Sequence, residues 1–212
     1  MIKKNIPQKT IDRLAIYRRY LEYASEETAG RHFITSADLS KGTRVSAAAI
    51  RRDLSCMGQL GRRKIGYNID RLCNSINSVL GLNKKWRVAL VGAGNLGKAL
   101  MMYRGFRKLG FEIVAVFDNA RLKIGKKWLE IKIQDIRHIK DNVSNKRIEI
   151  AIIAVPFKVA QATADLLIES GIKAILNFAP IGLKVPDNIK LRSVDLATEL
   201  ANLSYFLTKK IR

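Results

Sequence analysis

The chain has 212 residues, with 39 Lys and Arg against 18 Asp and Glu, a formal net charge of +21 and a hydrophobic fraction of 48 %. That length suits one or two domains with a sizeable core, and that apolar content is ordinary for a soluble globular protein. No stretch approaches the roughly 18–20 unbroken apolar residues of a membrane span, the start MIKKNIPQKTIDRL has no secretory apolar core, and Cys56 and Cys73 are too few for a disulfide framework or a zinc site, so the expected setting is the cytoplasm, with no membrane and no metal.

The charge excess points to a polyanion: DNA, RNA or an anionic membrane surface. Lysines scattered over a solvated face would give the same total. The pattern along the chain changes near Asn83-Lys84-Lys85. Helical spacings come before it; short apolar runs alternating with amphipathic helices come after. The expected division is 1–82, 83–193 and a closing helix over 194–212.

The first helix is expected to begin at Thr10, with Asp12 in its first turn. Ile11, Leu14, Tyr17 and Leu21 recur at helical spacing as a buried stripe, with Arg13, Arg18 and Arg19 off or beside it, and Gly30 follows the helix. The segment ITSADLSKGTRVSAAAIRRDLSCMG then reads as helix, tight turn, helix. Ser36 is the expected N-cap of a short helix over Ala37–Lys41, Gly42 supplies a turn of positive φ, and Ser46 caps a second helix over Ala47–Met57. Two short helices about a glycine turn have the form of a helix-turn-helix.

In the second of these helices Ile50, Leu54 and Met57 share one face and should be core. Ala47, Ala48, Arg51, Arg52 and Ser55 occupy the rest. Small residues at a helix start allow close approach to a DNA backbone, and arginines one turn later reach guanine edges or phosphates. An ordinary surface helix with two exposed arginines has the same pattern. The next stretch, GQLGRRKIGYNI, places Gly58, Gly61 and Gly66 around Arg62-Arg63-Lys64, a small β-hairpin with a basic tip. Helix-turn-helix plus hairpin is a winged helix, and a cationic wing suits the minor groove. From Asp70 to Leu82 a helix with Leu72, Ile76 and Val79 on one side is expected to link the domains.

RVALVGAGNLGKAL is an apolar strand running into G-x-G-x-x-G at Gly92, Gly94 and Gly97, with Ala93 inside the turn. The motif alone is weak; here a strand precedes it, a helix follows, and the next strand, FEIVAVFD, ends on Asp118. The first glycine permits the turn, the second lets the backbone approach a pyrophosphate, and the third packs helix on strand. The helix N-terminus offers free N–H groups to the phosphates. A carboxylate at Asp118 would accept from ribose hydroxyls and repel a 2′-phosphate, favouring NAD(H), although Arg121 and Lys123 nearby work against that preference. IEIAIIAVP and KAILNFAP are buried parallel strands. Their ends, Val155-Pro156 and Asn177-Phe178-Ala179-Pro180, should frame the crevice outside the carboxyl edge of the sheet. VDLATELANLSYFL closes the chain as an apolar helix with Leu196, Leu200, Leu203 and Leu207 in a stripe and Phe206 beside it, packed on its own domain or on a partner subunit.

Hydride-transfer chemistry needs a placed acid–base group. His32 lies in the basic half and His138 in a stretch read as a surface helix, and no Ser/Tyr/Lys arrangement stands out. No catalytic residue is assigned: the dinucleotide is expected to be read rather than used.

At this point the motifs converge. RLAIYRRYL, SAAAIRRDLS, GRRKIGYNI, LGLNKKW, VGAGNLGKAL, MYRGF, IEIAIIAVP, GIKAILNFAP and VDLATELANLS, in this order, make the chain resemble the redox-sensing transcriptional repressors of the Rex family, from Ile6 to Phe206. The resemblance implies an N-terminal winged-helix DNA-binding domain and a C-terminal Rossmann-like doubly wound parallel sheet. It implies a homodimer whose C-terminal helix inserts between the domains of the other protomer. It also implies double-stranded operator DNA as partner, released by NADH, with NAD+ compatible with DNA binding. Carried over by residue, it points to Arg51 and Arg52 in the recognition helix, Arg62 and Arg63 in the wing, and Gly92, Gly94, Asn95, Leu96, Gly97 and Asp118 at the cofactor. Tyr103 matches a tyrosine that senses the nicotinamide, and Arg19 and Asp195 match an ion pair between protomers. The chain departs from the family pattern at Cys56 and Met57, at Asn119-Ala120, and at Lys64, where the family usually has glycine. Two other readings share parts of this pattern: an NAD-dependent oxidoreductase with a basic appendage, and a CoA- or nucleotide-binding interaction protein.

Overall fold

The computed structural model describes residues 6–27, 32–62 and 64–208. Gly30, expected after the first helix, and Arg63, expected in the wing, lie outside the described residues, as do 209–212. The chain divides into two compact units, 1–84 and 85–212.

The first unit contains α1 (Gln8–Glu27), β1 (Phe33–Ile34), α2 (Ser36–Thr43), α3 (Ala47–Ser55), β2 (Gly61–Arg62), β3 (Gly66–Asn68) and α4 (Ile69–Leu80). α1 starts two residues before Thr10, and the Pro7 carbonyl accepts from the Thr10 and Ile11 amides. Leu14, Tyr17 and Leu21 are fully buried, as their spacing predicts.

Two local expectations are corrected. The N-cap of α2 is Thr35, not Ser36. The Thr35 hydroxyl accepts from the Asp38 amide while the Asp38 carboxylate accepts from the Thr35 amide, a reciprocal box that satisfies two orphan donors. Gly42 does not supply the positive φ; it lies inside α2, and the left-handed residue is Arg44, at φ 57°. Gly42 is required for another reason. The Tyr20 ring of α1 occupies the space where a Cβ would stand, so the glycine sets how closely α1 and α2 pack. Ser46 caps α3 as expected, accepting from the Ala49 amide at 3.3 Å. α3 ends at Ser55, so Cys56 and Met57 fall in the turn after it.

β3 pairs antiparallel with both β1 and β2, completing a three-stranded wing beside the helix-turn-helix. The stretch expected to link the domains is a core element of this unit. α4 buries Ile69, Leu72 and Ile76 in one cluster with Leu14, Tyr17 and Leu21, and Gly81, at φ 68°, closes it.

The second unit runs β4 (Trp86–Val91), α5 (Asn95–Met102), α6 (Arg104–Lys108), β5 (Phe111–Asp118), β6 (Lys127–Trp128), β7 (Ile131–Asp135), a 3-10 turn (Ile136–His138), α7 (Ile139–Asn145), β8 (Ile150–Ile153), α8 (Phe157–Glu169), β9 (Ala174–Asn177), β10 (Lys190–Ser193) and α9 (Leu196–Thr208). The sheet order is β10-β9-β8-β4-β5-β7-β6, and the pairs are parallel except β6 with β7. This is the doubly wound order, and the connection reverses direction between β4 and β8, where such sheets bind ligands. His138 sits exposed in the 3-10 turn rather than in an α-helix. A register shift in the β4–β5 pair leaves Val114 as an extra residue on β5, and the Lys146 ammonium donates to its carbonyl at 3.0 Å. Burial there pushes the Lys146 pKa down.

α9 has no buried residue; Leu196, Leu200, Leu203, Phe206 and Leu207 are each more than half exposed. Among the described residues no helix is long and apolar enough to cross a membrane.

Candidate DNA-reading surface and dinucleotide crevice

In α3 the buried residues Ile50, Asp53 and Leu54 define the inward face, with Met57 buried in the next turn. Ala48, Arg51, Arg52 and Ser55 are exposed on the opposite side and Ala47 is half-buried. The two reader candidates therefore point away from the core. The Arg51 guanidinium donates to the Ser36 hydroxyl at 3.1 Å, tying it to the start of α2. Arg51, Ser55, Arg62 and Lys64 border one cleft of about 480 Å³ between α3 and the wing. Lys64 has φ 66°. The departure from glycine at this position thus falls on left-handed backbone, where a side chain carries strain. Ser46 itself is engaged as the cap.

Beneath this surface lies a buried carboxylate that the sequence pattern did not single out. Asp53, flanked in sequence by Arg52 and Leu54, is buried to 2 %. Its carboxylate accepts from Arg13 Nε (2.6 Å), Arg13 Nη2 (2.7 Å), the Tyr17 hydroxyl (2.7 Å) and the Thr10 hydroxyl (3.0 Å). Burial pushes the Asp53 pKa up, but the hydrogen bonds from Arg13, Tyr17 and Thr10 outweigh it and hold the carboxyl below its ordinary value. The Arg13 hydrogen bond pushes the guanidinium up, and burial does the same to the Tyr17 phenol.

In the second unit two of the three motif glycines answer to backbone neighbours, and one faces open space. Gly92 has φ 106°, and a Cβ there would strike the Ala154 carbonyl of the loop after β8. A Cβ on Gly97 would strike the Gly92 carbonyl. A Cβ on Gly94 would meet no protein atom within 4 Å. Gly94 is also the N-cap of α5 and gives it no side-chain cap. Gly92 and Gly97 thus serve the protein's own packing. Gly94, the second glycine of the motif, leaves open room at a helix N-terminus, which fits the approach of a pyrophosphate.

Asp118 ends β5 with 7 % exposure. Its Oδ2 accepts from the Ala93 amide at 2.7 Å and from the Lys123 ammonium at 3.0 Å, and its Oδ1 accepts from the Ala120 amide at 2.8 Å. Burial pushes this carboxyl up; the bonds from Ala120, Lys123 and Ala93 more than reverse that. Asp118 is therefore an ionised acceptor with three donors already on it, and it fixes the glycine loop through Ala93. Lone-pair capacity for a ribose hydroxyl remains on a carboxylate with about four acceptor sites.

The other crevice candidates divide by exposure. Leu96 is exposed and Val155 half-buried. Asn95 and Pro156 are exposed, Phe178 is half-buried and Pro180 exposed. Asn177 is fully buried: its amide donates to the Ala179 and Ile181 carbonyls, and its oxygen accepts from the Ala179 amide. It shapes the loop after β9 from beneath, and Ala179 is buried with it.

Tyr103 breaks the helix after the glycine loop, its ψ of 104° separating α5 from α6. Its 55 % exposure excludes a core role within this chain. The ring meets Phe106 edge-on at 5.1 Å and covers Gly105, where a Cβ would lie 2.5 Å from its carbons. Asp195 accepts from the Ala197 and Thr198 amides and from the Thr198 hydroxyl, so it caps the start of α9. Arg19 is exposed on α1.

Two family models match the chain: a CoA binding domain over residues 83–181 and a putative DNA-binding protein N-terminus over residues 5–55. A redox-sensing transcriptional repressor Rex of Carboxydothermus hydrogenoformans is 46 % identical over 94 % of this chain and 95 % of its own length. One from Chloroflexus aurantiacus is 44 % identical over 96 % and 95 %. Among solved structures, RSP in complex with β-NAD+ and operator DNA superposes with a TM-score of 0.92 at 38 % identity, covering 98 % of this chain and 95 % of that one. RSP in complex with β-NADH gives 0.87 at 38 %, covering 98 % and 97 %.

Proposed function

This chain belongs to the family of redox-sensing transcriptional repressors Rex, and we propose that it reads the NADH/NAD+ ratio and passes it to operator DNA. One observation carries the reading. A single chain joins a winged helix whose arginines face outward to a doubly wound sheet whose second motif glycine faces open space. α3 and the wing, with Ser46, Ala47, Ala48, Arg51, Arg52, Arg62, Arg63 and Lys64, are the DNA-contacting set. The Gly92–Gly97 loop, Asp118 and the loops after β8 and β9 hold the dinucleotide. NADH and NAD+ differ in the charge and shape of one ring, so discrimination must arise near the nicotinamide end, where we place Tyr103. CoA fits Asp118 less well, because it carries a phosphate on the ribose that a carboxylate repels. The chain acts as a homodimer in the cytoplasm, as a regulator rather than an enzyme.

A randomised duplex pool tests this. The expected result is a sequence enriched by the protein alone or with NAD+ and released by NADH. No enrichment, or enrichment indifferent to NADH, overturns the reading; steady turnover of NADH with small carbonyl compounds would favour an oxidoreductase instead.

A further inference from the structure

α3 presents its DNA face only if its rotation about its own axis is fixed. The buried apolar residues fix it loosely, because hydrophobic contact is non-directional. Ile50, Leu54 and Met57 would remain covered if the helix rolled by some tens of degrees. The outward side chains would not tolerate that. At about 5–6 Å from the helix axis, a roll of about 20° carries a group by about 2 Å, while a functional constellation holds within about 0.5 Å.

The inward face of α3 also carries Asp53, between the exposed Arg52 and the core Leu54. Four donors from three residues of α1 converge on its two oxygens, at 2.6, 2.7, 2.7 and 3.0 Å. The Arg13 contact is a two-pronged fork, one nitrogen to each oxygen, which fixes the plane of the carboxylate. Thr10, Arg13 and Tyr17 lie at helical spacing on one face of α1, together with the fully buried Leu14 and Leu21. The network is therefore anchored on the face of α1 that packs into the core of the first unit.

As a source of stability this arrangement is poor. A buried ion pair replaced by apolar residues of similar volume is often neutral or more stable. Its distinctive product is direction. We propose that Asp53 is a positioning residue for DNA recognition: by locking the roll of α3 against α1, it aims Arg51 at the base edges and Arg52 at the phosphates beside them. This rests on the DNA-reading function argued above. It assigns a role in sequence discrimination to a side chain that faces away from DNA.

The test uses the full-length protein, an operator enriched by the wild type from a randomised pool, and a scrambled duplex of equal length. Asp53→Asn keeps the shape but leaves two or more donors facing an amide. The combined variant Asp53→Leu, Arg13→Met, Tyr17→Phe, Thr10→Val replaces the network by apolar groups and conserves net charge, so electrostatic affinity for any duplex is retained. Thermal stability and NADH titration show whether each variant is intact. The expected result is that both variants bind scrambled duplex within about threefold of wild type and NADH unchanged, while the operator-to-scrambled ratio falls about tenfold or more, roughly 1.4 kcal/mol. The combined variant should recover thermal stability without recovering that ratio. Discrimination that returns together with stability makes the network mere packing and overturns the proposal, as does an unchanged ratio in Asp53→Asn. Failure of the wild type to enrich any sequence overturns the DNA-reading function itself, and this inference with it.

Discussion

The Lys123 ammonium lies 3.0 Å from Oδ2 of Asp118, at the strand end where a ribose would be read. The carboxylate that should repel a 2′-phosphate thus has a cation bound to it, with the lysine side chain 41 % exposed. If a ribose is read at this strand end, selectivity between NADH and NADPH should be set by the pair rather than by Asp118 alone. Lys123→Met should sharpen the preference for NADH about tenfold, because it removes the only attraction this pair offers a phosphate. Asp118→Ala should weaken NADH and narrow the preference, since a hydrogen bond to a charged group contributes about 1.5–3 kcal/mol. Equilibrium titrations with both cofactors decide it. A wild type that prefers NADPH would place the choice with Lys123 or Arg121.

The motif glycines separate folding from binding. Gly97→Ala forces a methyl into the Gly92 carbonyl, which is backbone and cannot step aside. It should lower stability by about 1–3 kcal/mol, the range for overpacking, and weaken NADH as a consequence. Gly94→Ala meets no protein atom. It should leave the melting temperature within a degree or two of wild type yet weaken NADH at least tenfold. Intact NADH affinity in Gly94→Ala would show that the pyrophosphate does not approach there.

That contrast shows what the sequence could disclose. G-x-G-x-x-G between an apolar strand and a helix announced the crevice, and the 3.6-residue spacing of Leu14, Tyr17 and Leu21 announced the core of the first unit. Asp53 stayed hidden, because an acidic residue beside two arginines reads as solvated and its partners lie 36 to 43 residues away. Strand β10 stayed hidden because KLRS, on the sheet edge, has no apolar alternation. Thr35-Ser36-Ala37-Asp38 did carry a capping-box signal, one residue from the cap expected. Gly42 looked like a turn glycine because the ring that needs its missing Cβ, Tyr20, lies in another helix. Local periodicity and turn chemistry are legible; partners brought together by tertiary packing are not.

Arg51 and Arg52 should separate in their effects. Arg51 is already oriented by Ser36 and borders the cleft with the wing. Arg51→Ala should therefore cost about 1–3 kcal/mol at specific base pairs, as for a bidentate base contact. Arg52→Ala should weaken operator and scrambled duplex alike and lower the salt slope by about one, as for a phosphate contact. NADH affinity should not change in either. Salt-dependent titrations on both duplexes measure this; unchanged affinity in both variants would remove α3 as the reading helix.

The Asp53 network should also shape the pH dependence of stability. Its folded pKa lies below the ordinary 3.8. Its contribution is present above that value and lost as pH falls through the folded pKa, because the unfolded chain then binds the proton more readily. Tyr17 runs the other way. Its folded pKa lies above the ordinary 10.0, so its contribution is present below pH 10 and lost as pH rises through the folded value. Thermal unfolding across pH should show an acid limb that becomes shallower in Asp53→Asn and an alkaline limb that becomes shallower in Tyr17→Phe. Asp118, also depressed, keeps part of the acid limb in Asp53→Asn. An acid limb identical to wild type in that variant would mean that Asp53 is not the ionised acceptor its four donors imply.

The proposed pair between Arg19 of one protomer and Asp195 of the other needs a sharper test than alanine. Asp195 caps α9 through the Ala197 and Thr198 amides and the Thr198 hydroxyl. Asp195→Ala would therefore remove a cap and a charge together, and a frayed α9 could mimic a lost ion pair. Serine keeps an N-cap acceptor and removes the charge. A ligand shifts an equilibrium only by its different affinities for the two states, so removing a tie made only in the NADH state should reduce that difference. Asp195→Ser should still bind NADH but hold its operator at NADH concentrations that release the wild type. By reciprocity, operator DNA should then weaken NADH binding less than it does in the wild type, by the same factor. Arg19→Ala should behave alike, and the double variant should be no worse than either. Release of the operator by Asp195→Ser at wild-type NADH concentrations would leave Asp195 as the cap of α9 and nothing more.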